Sequence, residues 1–256
     1  MRLHLCSQFR VVTLSLAILI SATATCSAQT SSQPTILAEI ATAFSGTRTV
    51  TKVELTGTAH WHAGSLQDSG SATLTASSDG TASMQLDLPT KGSWTESQSA
   101  ISMGMTCQWT GNDGVVHQGD FMNCNRPAVW VLPLISLQPT IIPSGVGVLD
   151  LGNSVIDSTT YRHLEIGTAY ATTPGSLAIQ AAQASITDIE FDPSSLLPQV
   201  LKYEVRPDNG APVLIPIEIR YSNYQKTNGV EVPYTIQRYL NGSLQLEIDV
   251  TSVQIS

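Results

Sequence analysis

His60 and His62 stand two apart in a run that alternates apolar and polar residues. On a β-strand both would project from one face, as a His-x-His zinc site requires. They share that face with Thr56 and Thr58, opposite Trp61, so the same parity also describes a solvent-facing polar side. His117 or His163 could complete a metal site only if the fold brought them there. Asp188, Glu190 and Asp192 also fall on one strand face, where paired carboxylates could do acid–base work. Adjacent like charges equally describe an exposed edge or a weak cation site. Gly145, Gly147 and Gly152 resemble part of a dinucleotide loop. Asp150, however, stands where the third glycine belongs and no helix pattern follows, which leaves a glycine-bearing β segment. No GxSxG, HExxH, P-loop or EF-hand pattern occurs. These residues supply no catalytic set, no metal site and no cofactor site, so a non-enzymatic protein is expected.

The cysteines point to a compartment. Residues 1–10 carry Arg2 and Arg10 and no acid, 11–20 are apolar but for Thr13 and Ser15, and small residues fill most of 21–28. That is the order of a secretory signal peptide, expected over 1–28. Its apolar stretch is about half the roughly 20 residues of a membrane span, and no later segment reaches that length uninterrupted, so no transmembrane segment is expected in the mature chain. Two processing routes stay open. Small residues at Cys26 and Ala28 suit ordinary cleavage before Gln29. Alternatively Cys26 becomes a lipidated first residue, although Thr25 departs from the usual small residue before such a cysteine. The periplasm is the expected location, or the outer membrane through an anchor at Cys26. Cys6 leaves with the leader, as does Cys26 on the first route, so Cys107 and Cys124 remain as a pair. In an oxidising compartment they read as one disulfide, with two buried thiols as the alternative.

Charge excludes one partner class. Twelve basic residues face twenty acidic ones, a net −8. Losing Arg2 and Arg10 leaves ten against twenty, and no local Lys/Arg cluster offsets that excess. Such a surface repels phosphate backbones, so nucleic acid is not an expected partner. At 42% hydrophobic and 12% charged residues, the chain is too apolar for disorder.

The elements that would position these residues are mostly strands. Pro34 can open a helix to about Phe44, with Ile36, Leu37, Ile40 and Phe44 at helical spacing and Gly46 ending it. From Arg48 the period is two: Val53, Leu55, Ala59 and Trp61, then Ala72, Leu74 and Ala76, then Met84, Leu86 and Leu88. Asp79-Gly80, Asp113-Gly114, Asn228-Gly229 and Asn241-Gly242 mark hairpin turns, and the last two make the final 45 or so residues a three-stranded meander. A hairpin over Trp109 to Phe121 lies inside the cysteine loop. Residues 128–142 are strongly apolar but punctuated by Pro133 and Pro139, with Pro143 just beyond, which limits them to short helical turns or an extended lid. Further strands are expected at 146–151, 161–166, 184–191 and 202–205, with a turn or short helix at 192–201. No boundary or repeat divides 29–256, so one domain is expected.

This order of elements resembles the LolA/LolB-like family of periplasmic lipoprotein-sorting proteins. Two segments carry the resemblance most closely. Ile186-Thr-Asp-Ile-Glu-Phe-Asp-Pro193 with Leu197-Pro198 is similar to the family's strand, turn and Leu-Pro step. Residues 221–234, with Asn228-Gly229-Val230 and Val232-Pro233, are similar to its C-terminal hairpin. The resemblance implies an α+β, mostly β fold: a strongly curved antiparallel sheet, or incomplete β-barrel, with a short N-terminal helix and an apolar lid over a cavity for acyl chains. The sorting carriers also place a basic residue before a proline after their second strand, to tether the lid. Here Ser77-Ser78-Asp79-Gly80 stands in that place, so the specific carrier role does not follow.

Strand parity nominates Val53, Leu55, Trp61, Met84, Leu86, Leu246 and Ile248 as the apolar face of such a cavity. The expected function is binding of a lipid, a lipoprotein's acyl chains or another apolar ligand, with an envelope protein as a possible partner. The competing function is a β module that binds polysaccharide or protein through exposed aromatics such as Trp94, Trp109 and Tyr239. A hydrolase without a recognisable motif is the third. If ordinary cleavage operates, N-terminal sequencing of the exported protein reads Gln29; a diacylglyceryl mass on Cys26 shows the anchored form instead.

Overall fold

The computed structural model describes residues 33–101, 104–138, 145–168, 176–207, 211 and 213–256, with the side chains of 33, 34 and 176–178 outside that description. The leader, Cys26 and the end of the apolar segment at 139–142 lie outside the described residues.

Four helices and thirteen strands are formed among the described residues. The helix α1 spans Gln33–Ser45, and it buries Ile36, Leu37, Ile40 and Phe44 on one stripe. The strands are β1 (Lys52–Ala63), β2 (Leu66–Ser77), β3 (Ala82–Leu88), β4 (Gly92–Ile101), β5 (Gly104–Thr110), β6 (Val116–Gln118), β7 (Val146–Ile156), β8 (Thr159–Thr168), β9 (Thr187–Phe191), β10 (Pro198–Val205), β11 (Ile215–Thr227), β12 (Val230–Leu240) and β13 (Ser243–Ile255). All lie in one antiparallel sheet of order 6-5-4-3-2-1-13-12-11-10-9-8-7. Chain neighbours are therefore sheet neighbours, except where β1 and β13 join the two halves. Strands β6 and β7 end the order unpaired with each other, so the sheet is not closed into a barrel.

The sheet is nevertheless curled. Five strand spacings separate β4 from β12, about 24 Å across a flat sheet. Yet Arg238 Nη1 on β12 lies 2.8 Å from Glu96 Oε2 on β4. Two glycines stand near the bend. A Cβ at Gly57, beside the bulge where β1 shifts register against β13, would lie 2.2 Å from the Asp249 carbonyl oxygen; one at Gly70 would lie 1.9 Å from that of Asp87. Only glycine lets the backbones approach that closely.

The inner face and its cover form one core. Inward residues of β1, β3 and β13 meet α1 and the segment 128–137, which contains the short helix α3 (Pro133–Ser136). Helix α1 packs against β12, β7 and α3, and α3 packs against β2. Proline at the start of α3 and the single helical turn match the expected short helical turn in this segment.

Several expectations are corrected. Helix α4 (Ser176–Ala184), rich in alanine, occupies ground expected to lead directly into a strand, so β9 begins at Thr187 rather than Ala184. Strand β10 begins at Pro198, not Lys202, because a proline is tolerated as a strand's first residue. The run toward Phe121 stops at Gln118, and Asp120 caps the one-turn helix α2 (Phe121–Cys124) by accepting from Met122 N. Strand β4 has no apolar alternation, for a reason given below. Strand β9 lies between β8 and β10, so its carboxylates do not sit on an exposed edge.

Cys107 and Cys124 form a disulfide, joining β5 to α2 across 17 residues. Closing a loop of that size stabilises by about 3 kcal/mol on the chain-entropy estimate. The double variant C107S/C124S should lower unfolding stability by about that amount in urea melts. The wild type, alkylated without reductant, should gain no mass.

Candidate functional site

A cavity of about 570 Å³ opens where the two halves of the curled sheet face each other. Ala82 and Met84 of β3, Trp94 and Glu96 of β4, and Trp109 of β5 line one side. Tyr203 of β10, Ile215 and Ile217 of β11, and Arg238 and Leu240 of β12 line the other. Residues 119–131, including Arg126, Ala128 and Trp130, close it between them. All four tryptophans of the chain, Trp61, Trp94, Trp109 and Trp130, are in this lining. A second cavity of about 580 Å³ lies toward α4 and shares Asn123, Tyr203, Arg206 and Ile217 with the first.

The aromatic side chains form a stack. Trp94 and Trp109 lie 4.8 Å apart and nearly parallel, and His117 covers Trp109 at 3.9 Å. Trp61 tilts against Trp94 at 6.1 Å, and Lys91 Nζ sits 4.3 Å above Trp61 and 5.0 Å from Trp94. Trp94 and Trp109 thus spend faces on each other, and Tyr239 faces the Arg220 guanidinium at 5.0 Å. They are not the open platform expected for a polysaccharide-binding face.

The charged lining is mostly cationic: Lys91, Arg126, Arg206 and Arg238, against Glu96 alone among the described residues. Arg238 Nη1 donates to both Glu96 oxygens, at 3.1 and 2.8 Å, and Trp94 Nε1 donates to Glu96 Oε1 at 2.9 Å. Burial pushes the Glu96 carboxyl up, but the Arg238 charge and the hydrogen bonds from Arg238 and Trp94 outweigh it and hold the group below its ordinary value. The pattern of β4 follows from this site. Trp94, Glu96 and Gln98 face inward, and two of the three are polar, so the strand shows no apolar period.

The cover is tied by backbone-directed side chains. Gln138 Nε2 donates to Val50 O at 2.7 Å and to Ile135 O at 3.0 Å, while its Oε1 accepts from Val50 N at 3.2 Å. Tyr221 Oη donates to Trp130 O at 2.5 Å, and burial raises that phenol well above its usual range, so it stays a neutral donor. Gln98 Nε2 donates to Arg126 O at 3.3 Å. The cover is thus held by amide and phenol groups. Asn123 pins α2 to the end of β10, donating to Arg206 O and accepting from Arg206 N, both at 2.7 Å. Gly119 leaves room for the disulfide, since a Cβ there would stand 2.5 Å from Cys107 Sγ.

The structure buries all seven nominated apolar residues. Trp61 and Met84 line the cavity, whereas Val53, Leu55, Leu86, Leu246 and Ile248 lie outside its lining, in the core filled by α1 and the cover. His60 Nδ1 pairs with Ser69 Oγ at 2.9 Å, and its Nε2 lies 3.4 Å from Asp249. No group of three or more His, Cys, Asp or Glu side chains suited to a metal occurs among the described residues. Asp188 pairs with His163 at 2.7 Å, buried Glu190 accepts from Ser154 Oγ, and Asp192 accepts from the backbone N–H groups of Ser194 and Ser195. Only Asp188 and Glu190 lie on β9, while Asp192 stands just beyond it in the following turn, so the three serve separate local contacts. Sequence reasoning missed Lys91, Glu96, Arg126, Trp130 and Arg238. The available signal was an arginine beside the most apolar stretch of an acidic chain.

The cavity lies within an open, curled antiparallel sheet. No sequence-family model matches the chain, and no curated protein matches it. Solved structures do. A DUF1329 family protein from Desulfovibrio piger superposes with a TM-score of 0.53 at 11% identity, over 86% of this chain and 90% of its own. A putative outer membrane lipoprotein-sorting protein domain from Vibrio parahaemolyticus gives 0.50 at 9% identity, over 80% and 86%. A LolA superfamily protein from Nitrosomonas europaea gives 0.49 at 11%, over 87% and 93%. The first two show the fold, which this chain shares with a DUF1329 family protein and a lipoprotein-sorting domain and which agrees with the architecture that the resemblance of residues 186–198 and 221–234 implies.

Arg238→Met would leave the Glu96 carboxylate half-buried without its partner. Removing one member of a buried pair costs 3–5 kcal/mol, and the 26% side-chain exposure of Glu96 places the effect near about 3 kcal/mol. Because the folded Glu96 value is depressed, its stabilisation is full above the ordinary value of 4.5 and is lost as pH falls through the folded value. Urea melts of wild type and variant should therefore converge as pH drops below 4.5.

Proposed function

We propose that this protein is a non-enzymatic, exported envelope protein that holds the acyl chain of a lipid or lipoprotein in its covered cavity. The observation that carries the reading is the convergence of all four tryptophans, Met84 and Ile217 on one cavity of about 570 Å³ under a tied apolar cover. Apolar pockets with a few placed polar groups are the usual homes of such chains. In this reading Trp61 and Met84 touch the ligand. Val53, Leu55, Leu86, Leu246 and Ile248 continue the same face beneath the cover, where a longer chain reaches them only by displacing residues 128–138. The neighbour described as a lipoprotein-sorting domain supports the reading through a shared fold. The basic, apolar and small-residue order of residues 1–28 supports export, and with it a periplasmic location for the domain of 29–256. No helix among the described residues is long and apolar enough to cross a membrane.

Because every tryptophan lines the cavity, tryptophan emission excited at the red edge reports on the cavity. A bromine-labelled fatty acid should quench that emission saturably. Ala82→Phe, which enlarges a side chain in the lining, should weaken quenching about tenfold, the effect of a lost contact worth roughly 1.4 kcal/mol, while far-ultraviolet circular dichroism stays unchanged. Absence of saturable quenching in the wild type would overturn the reading.

A further inference from the structure

We infer that the ligand is an anionic amphiphile, a single acyl chain bearing a carboxylate or phosphate, whose head group is received at Arg126. This rests on the acyl-binding reading above and names the chemistry at the polar end of the same cavity.

Arg126 is 7% exposed and lines the cavity. Its Nη1 donates to Asn123 O and its Nη2 to Glu204 O, both backbone carbonyls, and its guanidinium lies 4.3 Å over the Tyr203 ring. Its Nε donates to nothing, and no carboxylate among the described residues pairs with it. Arg238, the other buried arginine of the lining, has Glu96. A buried cation ordinarily requires a paired anion, because carbonyl dipoles only partly repay its lost hydration. Desolvation accordingly depresses its basicity. Lys91 and Arg206 add two more cations to the lining, in a chain whose net charge is −8. Positive charge is thus concentrated where the surface as a whole would repel an anion, and low-dielectric walls strengthen its pull. The tryptophans and Met84 supply the apolar end. A neutral ligand would leave the Arg126 charge uncompensated, and a cationic one would be repelled.

The test displaces neutral N-phenyl-1-naphthylamine from the exported, delipidated protein with dodecanoate, dodecyl phosphate and dodecanol, which share one chain and differ at the head. At least one anion should compete about tenfold better than the alcohol, the scale of one charge-assisted hydrogen bond, and raising ionic strength should narrow the gap. Which anion leads distinguishes a fatty acid from a phosphate-bearing lipid. Arg126→Gln should bring anion and alcohol together, and Arg126→Lys should restore part of the preference. Because the wild-type comparison needs no variant, a misfolded substitution does not blunt the test. Equal competition by all three in the wild type overturns the head-group assignment and leaves the acyl-chain reading standing. Failure of the neutral probe and every competitor to bind overturns both.

Discussion

A thirteen-stranded antiparallel sheet with one apolar face has too little helix to cover it. The described helices amount to one of thirteen residues, one of nine and two single turns. Exposed apolar area on that scale is costly, at roughly 25 cal/mol per Å². The sheet resolves this by covering itself, curling until β4 and β12 approach within salt-bridge distance across five strand spacings. The bulge between Thr56 and Gly57 and the missing Cβ atoms at Gly57 and Gly70 let the backbones close in where β1 and β2 turn. Other features follow from that curl. Helix α1 and residues 128–137 need fill only its interior, and the outer face can remain threonine- and serine-rich.

The cavity is the part of the interior that the cover does not fill. Near the middle of the sheet, Val53, Leu55, Leu86, Leu246 and Ile248 meet α1 and the 128–137 segment as a dense core. Toward β4, β5 and the ends of β10–β12, that cover gives way to the disulfide-bearing loop, whose inward groups are large, aromatic and partly charged. The loop is held from three directions: the Cys107–Cys124 bond to β5, Asn123 to the backbone of Arg206, and Arg126 to the backbone of Glu204. Gln138 and Tyr221 tie the cover to the backbone of Val50 and to the inner face of β11.

Hydrogen bonds from neutral side chains fasten this cover. Gln138 satisfies the backbone of Val50, just before β1, and Tyr221 satisfies Trp130. Both reach backbone carbonyls of segments distant in the chain. Neither fastening bears a charge, since burial keeps the Tyr221 phenol neutral. The acid-sensitive element is instead the Glu96–Arg238 pair, inside the cavity rather than on its cover.

Much of the frame was legible in the chain itself. Strand parity at 53–61, 72–76 and 84–88 and the Asx-Gly turns at 228–229 and 241–242 depend on neighbours two to four residues apart, so the sequence determined those strands and their hairpins. The helix from Pro34 and the pairing of Cys107 with Cys124 were local or arithmetical signals of the same kind. What only the tertiary structure decided is how far the sheet curls, and therefore which inward residues are packed and which border a void. Parity assigns Leu86 and Met84 the same face, yet Met84 lines the cavity and Leu86 does not. Strand β4 was invisible because its inward residues, Trp94, Glu96 and Gln98, answer to Arg238 on β12 and to the backbone of Arg126, partners 142 and 28 residues away. Charges and aromatics that converge from distant strands leave no period in the chain, since their pattern is set by the closure of the sheet and not by any neighbour in sequence.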